Sequence, residues 1–215
     1  MKSEFSPVSR LALIPSRIII LAAAMSLGLA GCASQAELPP QITQNLVELR
    51  DQVVQGKAQM QTTCNAARDL TQRPQAQLQP QIDRLVQAIA SLDSLATNNR
   101  QQFATAAEHA EAYFIHWDKQ MKELSDSLAE KGQERRARSM ASFSELKSRT
   151  ESLKKEFRPF MSSLLEVSKY LQTDTTTEGV KTVTQQIKTS LDRENSIMAK
   201  ADSVIAQIDA MRGGK

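Results

Sequence analysis

The sequence predicts an all-α fold: an elongated, antiparallel up-down-up-down bundle of four long helices with coiled-coil-like packing. Three observations predict it. Apolar residues recur at alternating intervals of three and four over four long stretches, which lines them along one side of a helix. No window alternates apolar and polar residues with period two for long enough to make a strand. The breaks between stretches are short and carry proline, glycine or a polar run, so successive helices return antiparallel. Aromatic residues make up only 4% of the chain, so the core is expected to be built from Leu, Ile, Val, Ala and Met.

The first helical stretch follows Pro39-Pro40. Its seam is Ile42, Leu46, Leu49, Val53, Gly56, Met60, Thr63, Ala67 and Leu70, and it ends near Arg73-Pro74. The second opens at Pro80, a good first-turn residue, and runs from Ile82 through Phe114, Trp117, Met121, Leu124 and Leu128. No proline or glycine interrupts residues 81 to 131, so the spacing predicts one helix with Gly132 as its stop. Thr97-Asn98-Asn99 is the expected place for a bend in it. The third stretch is expected from Glu134 to Gln172, with Met140, Phe143, Leu146, Leu153, Phe157, Phe160, Leu164, Val167 and Leu171 inward and a kink at Pro159. The fourth follows the turn Thr173 to Thr177, capped by Thr175 or Thr176 with Glu178 in its first turn. It continues from Val180 to Met211. The second helix exceeds its neighbours, so its first half should pair with helix one and its second half with helix three. The helical domain is therefore expected over 41–211, with 212–215 as a tail.

The N-terminus has the layout of an export signal. Lys2, Arg10 and Arg17 precede the uncharged apolar run Ile18 to Leu27, and Leu29-Ala30-Gly31-Cys32 follows. The apolar run is shorter than the roughly 20 residues that span a bilayer. The four-residue box resembles that of bacterial lipoproteins as a class. The resemblance implies that residues 1–31 are a signal peptide, cleaved between Gly31 and Cys32. It implies that Cys32 carries a diacylglycerol and a further acyl chain, palmitate among the usual ones. Ala33 and Ser34 follow with no aspartate, which implies sorting to the outer membrane, facing the periplasm. Residues 32–40 then form the lipidated N-terminus and spacer. Three basic residues and one acidic residue leave with the signal, so the net charge falls by two from +3, to +1. A near-neutral exported chain is a poor partner for nucleic acid. Cys64 would be the one thiol left, which excludes an internal disulfide. A small residue on a helix seam is its expected role, with a disulfide to another chain as the alternative.

The segment 117–205 also resembles an uncharacterised bacterial family of exported helical proteins, a domain of unknown function. The matching features are Trp117, the Arg135-Arg136-Ala137-Arg138-Ser139 run read as a turn, Leu146, the Arg158-Pro159-Phe160-Met161 step, and Tyr170-Leu171. They cover about half of the mature chain. Residues 172–178 depart from the lysine- and asparagine-containing turn that the family would place there. The resemblance implies fold and export, and brings no activity.

No pattern of residues assembles a catalytic or cofactor site. His109 and His116 lie two turns apart, about 10.5 Å along a helix, too far to share a metal. There is no Cys-x-x-Cys, His-Glu-x-x-His, phosphate loop or Gly-x-Ser-x-Gly. Tyr113 and Trp117, beside Phe114, form a candidate binding patch. Phe114 and Trp117 also continue the seam, so a core anchor is the competing role, and Tyr113 is expected to face outward. Between Lys131 and Arg158 nine basic residues face four acidic ones. Arg135, Arg136 and Arg138 in the expected hairpin turn are the candidate contacts for an anionic partner. Lys215 matches, by one residue, the terminal lysine through which murein lipoproteins join peptidoglycan. The chain is thus expected to be a non-enzymatic envelope protein without cofactor beyond its covalent lipid. It would act as a periplasmic interaction or spacer module toward an envelope protein or peptidoglycan. A module binding a small apolar or amphiphilic ligand between helices is the alternative, and the seams would also suit a homo-oligomer.

Overall fold

The computed structural model describes residues 38–213. The expected signal peptide, the cleavage point at Gly31, Cys32, and Lys215 lie outside the described residues. Within them the chain is helical and no strand occurs: α1 (Pro40–Gln72), α2 (Gln79–Met121), α3 (Asp126–Thr173), α4 (Thr177–Leu191) and α5 (Glu194–Met211). α4 and α5 succeed one another as the fourth arm of the bundle. Each arm touches two others, in the cyclic order α1, α2, α3, α4–α5.

Antiparallel register follows from cross-helix bonds. Asn45 meets His109, Asn99 Nδ2 donates to the Gln52 carbonyl, and the Thr63 hydroxyl donates to the Ala88 carbonyl, so numbers rise on α1 as they fall on α2. Arg50 with Asp209, Lys57 with Asp202 and Arg68 with Glu194 make a ladder between α1 and α5. The first two rungs are one heptad apart on both helices, the spacing at which facing seams stay in step. These two are each worth little in water-exposed surroundings, while the third holds the buried Glu194, and together the three select one register. Beyond Asn45 and His109 the partner of α2 becomes α3, through Phe114 against Phe143 and Asp118 against Arg136. α2 is therefore shared between two neighbours, but not by halves: α1 accompanies it as far as His109, and α3, at 48 residues against 43, is the longer helix, contrary to the expectation that the second would exceed its neighbours.

Two apolar clusters form the core. One joins Met60, Leu70, Leu85, Leu92, Phe160, Leu164, Leu171, Val183 and Ile187. The other joins Ile42, Leu46, Leu49, Leu146, Val204 and Ile208, with Leu38, Tyr113 and Phe143 packed against it. α2 has no buried residue between Leu92 and Ala106. At that level Gly56 lies close to Asn99, and polar ties replace apolar packing.

The α1–α2 turn is closed by a buried side chain. Gln81 is 1% exposed. Its amide donates to the Asp69 and Arg73 carbonyls and to the Asp69 carboxylate, and its carbonyl accepts from the Gln75 N–H. The carbonyls left over at the end of α1 are thus satisfied from across the turn. At the start of α4, the Thr176 hydroxyl accepts from the Gly179 N–H at 3.1 Å, as an N-cap should. Asp174 accepts from the Thr176 hydroxyl and N–H, and these bonds hold its carboxyl below the usual carboxylate range.

Three boundary expectations are corrected. The second helix ends at Met121, not near residue 131. Gly132 lies inside α3 and stops nothing. Ser125, in extended conformation with Asp126 in the first turn, starts α3 instead, because a negative charge is favoured at a helix N-terminus. Consequently Arg135, Arg136 and Arg138 lie on a helix and not in a turn. The fourth stretch is interrupted at Asp192-Arg193, where Glu194 occupies a buried seam position paired with Arg68. α2 runs unbroken through Thr97-Asn98-Asn99, and α3 through Pro159.

Candidate interaction site at the α2–α3 hairpin

The sequence-selected residues gather on one hairpin, formed by the end of α2 and the start of α3. Four aromatic rings close its base. Tyr113 lies 5.4 Å from both Phe114 and Trp117, edge-on to the latter, and Phe114 meets Phe143 edge-on at 5.7 Å. Such offset and edge contacts are the favourable ones for rings. Phe114 is buried, while Tyr113 and Trp117 are half-buried. Tyr113 therefore does not face outward as expected; its ring packs on the core, and burial pushes its phenol up, against a smaller pull from Arg135. Trp117 Nε1 is buried without a hydrogen-bond partner among the described residues.

The three arginines divide into two kinds. Arg136 is half-buried and turned inward. Its guanidinium donates to Asp118 Oδ2 at 2.7 Å and stands 5.7 Å over the Phe114 ring. Its Nε approaches Asp118 Oδ1 at 2.7 Å as an ion pair, off the line of a hydrogen bond. Arg136 thus ties the two arms of the hairpin together. Arg135 and Arg138 are exposed and make no ion pair among the described residues, so they are the ones able to meet an anion.

Sequence reasoning missed the apolar surface of this hairpin. Ile115, Leu124, Leu128 and Met140 are 53%, 43%, 56% and 42% exposed. Leu124, Leu128 and Met140 were expected to be inward. No residue from 115 to 138 is buried. The signal was the Ser125-Asp126 helix start, which the seam spacing of Met121, Leu124 and Leu128 overrode.

Elsewhere the candidates are built into the fold. His109 Nδ1 faces the Asn45 side-chain amide at 2.7 Å, and His116 is exposed. No group of three or more His, Cys, Asp or Glu able to hold a metal occurs among the described residues. Cys64 is buried and free. Two open depressions, one around Asp69, Gln81 and Arg84 and one around Arg68, Gln185 and Asp192, are lined mainly by polar residues. Fold and site together define an all-α bundle whose α2–α3 hairpin exposes apolar and basic side chains. No family profile, curated protein or solved structure matches the chain.

Proposed function

We propose that the protein is a lipid-anchored, non-enzymatic component of a bacterial envelope. It is held by acyl chains on Cys32 at the periplasmic face of the outer membrane and works as an interaction or spacer module. The observation that carries this reading is Leu29-Ala30-Gly31-Cys32 directly behind a charged and then apolar leader. Several acyl chains give the stable hold that one chain lacks. Arg135 and Arg138, exposed on a helix and without an ion pair among the described residues, supply a contact for an acidic envelope partner. Membership of the exported helical family that the sequence resembles belongs to the same proposal.

The test is made in intact cells. Growth with an alkynyl palmitate should label the wild type, and Cys32→Ala should abolish the label and release the chain from the membrane fraction. Crosslinking followed by mass spectrometry should then recover an envelope protein or peptidoglycan fragment from the wild type. Labelled protein that yields no partner in repeated experiments would reduce the role to that of a passive spacer, and absence of label would sink the reading.

A further inference from the structure

Resting on the lipid-anchored reading, we infer that the tip of the α2–α3 hairpin, with Leu124 and Leu128 at its apex, is a second contact with the lipid surface that holds Cys32. The first observation is where exposed apolar side chains fall. Ile115, Leu124, Leu128 and Met140 all lie on this hairpin; Val54, Leu165 and Tyr170, the other large ones exposed among the described residues, are scattered singly along α1 and α3. Leu124 and Leu128 flank the start of α3 at the turn itself. Exposed apolar side chains gathered on one hairpin, in contrast to single scattered ones, are the pattern of an interaction surface.

The second observation is chain length. Asn45 faces His109 in the antiparallel register, and Leu38, seven residues earlier, packs against the cluster that Tyr113 and Phe143 also join, so the chain enters the bundle near their level. From Phe143 back to Asp126, α3 continues for about 25 Å, at 1.5 Å per residue. The six steps from Cys32 to Leu38 span at most about 22 Å even when fully extended. With the bundle upright on its lipid, the tether is too short to hold the hairpin clear of the bilayer.

Charge agrees with a headgroup surface. Lys119, Lys122, Lys131, Arg135 and Arg138 are exposed around the apex and unpaired among the described residues. Glu123, Asp126, Glu130 and Glu134 share the same stretch, so the apolar pair carries the seating and the cations add attraction to anionic lipid. No helix among the described residues is long and apolar enough to cross a membrane, so the tip lies in the interface.

The experiment places an environment-sensitive fluorophore on Ser125→Cys in the full lipidated protein. Ser125 is exposed and its side chain caps nothing, and buried Cys64 does not compete for the label. The protein is reconstituted in vesicles of phosphatidylethanolamine and phosphatidylglycerol whose acyl chains are brominated. An interfacial segment lies roughly 5–10 Å deep, so emission from position 125 should fall by about half. A probe on Gln77→Cys, in the α1–α2 turn beyond the opposite end of α2, should be unchanged. Adding Leu124→Glu with Leu128→Glu should remove the quenching while the protein still floats with the vesicles and keeps its helical circular dichroism. Flotation without quenching at position 125 overturns the tip contact and leaves the anchor standing. Failure to float overturns both. A dimer that the two Glu substitutions dissolve, with no quenching, overturns it in favour of a second copy of this chain.

Discussion

At the scale of single residues, Cys64 shows how burial turns a reactive group into a packing group. It is 1% exposed, and its thiol is pushed up from 9.0 to about 12. Desolvation is the main cause, the Glu194 carboxylate adds to it, and Arg68 opposes both. The thiolate is the nucleophile, so a disulfide to another chain would require the bundle to open first. The shift also has a sign for stability. The folded thiol keeps its proton to a higher pH than the unfolded one, so its stabilising effect is complete below pH 9.0 and is lost as pH rises toward about 12. Between those values unfolding releases a proton, and stability should fall by up to about 1.4 kcal/mol per pH unit from this group. Urea unfolding of wild type and Cys64→Ala at about pH 8 and about pH 10 isolates it from the lysines and tyrosines that titrate nearby. The wild type should lose about 1 kcal/mol more than the variant between the two conditions. Equal losses would show that the thiol ionises alike in both states.

At the scale of elements, two glycines inside helices should respond oppositely to alanine. Gly132, expected to stop a helix, lies within α3, and a Cβ there would meet the sulfur of Met121. A thioether at the end of a flexible side chain can move aside. Gly132→Ala should therefore gain about 0.5–1 kcal/mol of helix propensity in thermal or urea unfolding. A loss of that size would return Gly132 to the role of a terminator. At Gly179 the Cβ would lie 2.5 Å from the Asp174 backbone carbonyl and 2.7 Å from its carboxylate oxygen. Neither is free to move, because that carboxylate also holds the Thr176 cap. Gly179→Ala should thus lose about 1–3 kcal/mol by overpacking, despite its better propensity. Helix identity was legible in the sequence because apolar spacing records a buried face: Leu46, Leu85, Leu164 and Ile208 are all essentially inaccessible. Boundaries were less legible where the spacing continued through a turn. Leu124 and Leu128 keep the interval of the seam yet stand in solvent, so their period carried no burial. The α4–α5 break did leave a trace, a six-residue gap from Leu191 to Ile197 that fits neither three nor four. Glu194 sits midway in that gap, and a charged residue in a seam becomes readable only once Arg68 is seen opposite it. The candidate site was half legible: its aromatic and basic residues were selected, but the inward turn of Arg136 depends on Asp118, and that of Tyr113 on the apolar cluster of α1, α3 and α5, all of which lie on other helices.

At the scale of the whole bundle, stability should be graded along the helices. The cluster around Leu70, Leu85, Phe160 and Ile187 draws side chains from α1, α2, α3 and α4. The cluster around Leu46, Leu146 and Ile208 joins α1, α3 and α5, with α2 represented only by partly buried Phe103 and Tyr113. Beyond it, residues 115–138 hold no fully buried residue and are tied together mainly by Arg136 and Asp118. Local opening costs least where few apolar contacts must be broken. Amide hydrogen exchange should therefore be slowest in 60–70, 82–92 and 160–171, intermediate in the second cluster, and fastest in 115–138. Asp118→Asn should raise exchange across 115–138 by several-fold and leave 82–92 unchanged, because it weakens the hairpin tie without touching either core. The gradient also makes the proposed lipid contact of the hairpin measurable. Seating Leu124 and Leu128 in an interface adds the apolar environment that the bundle itself does not provide there. Exchange at 120–130 should slow when the lipidated protein is placed in vesicles, and the first cluster should not change. Uniform slowing along all helices would point to general stabilisation of the bundle and away from a local contact at the tip.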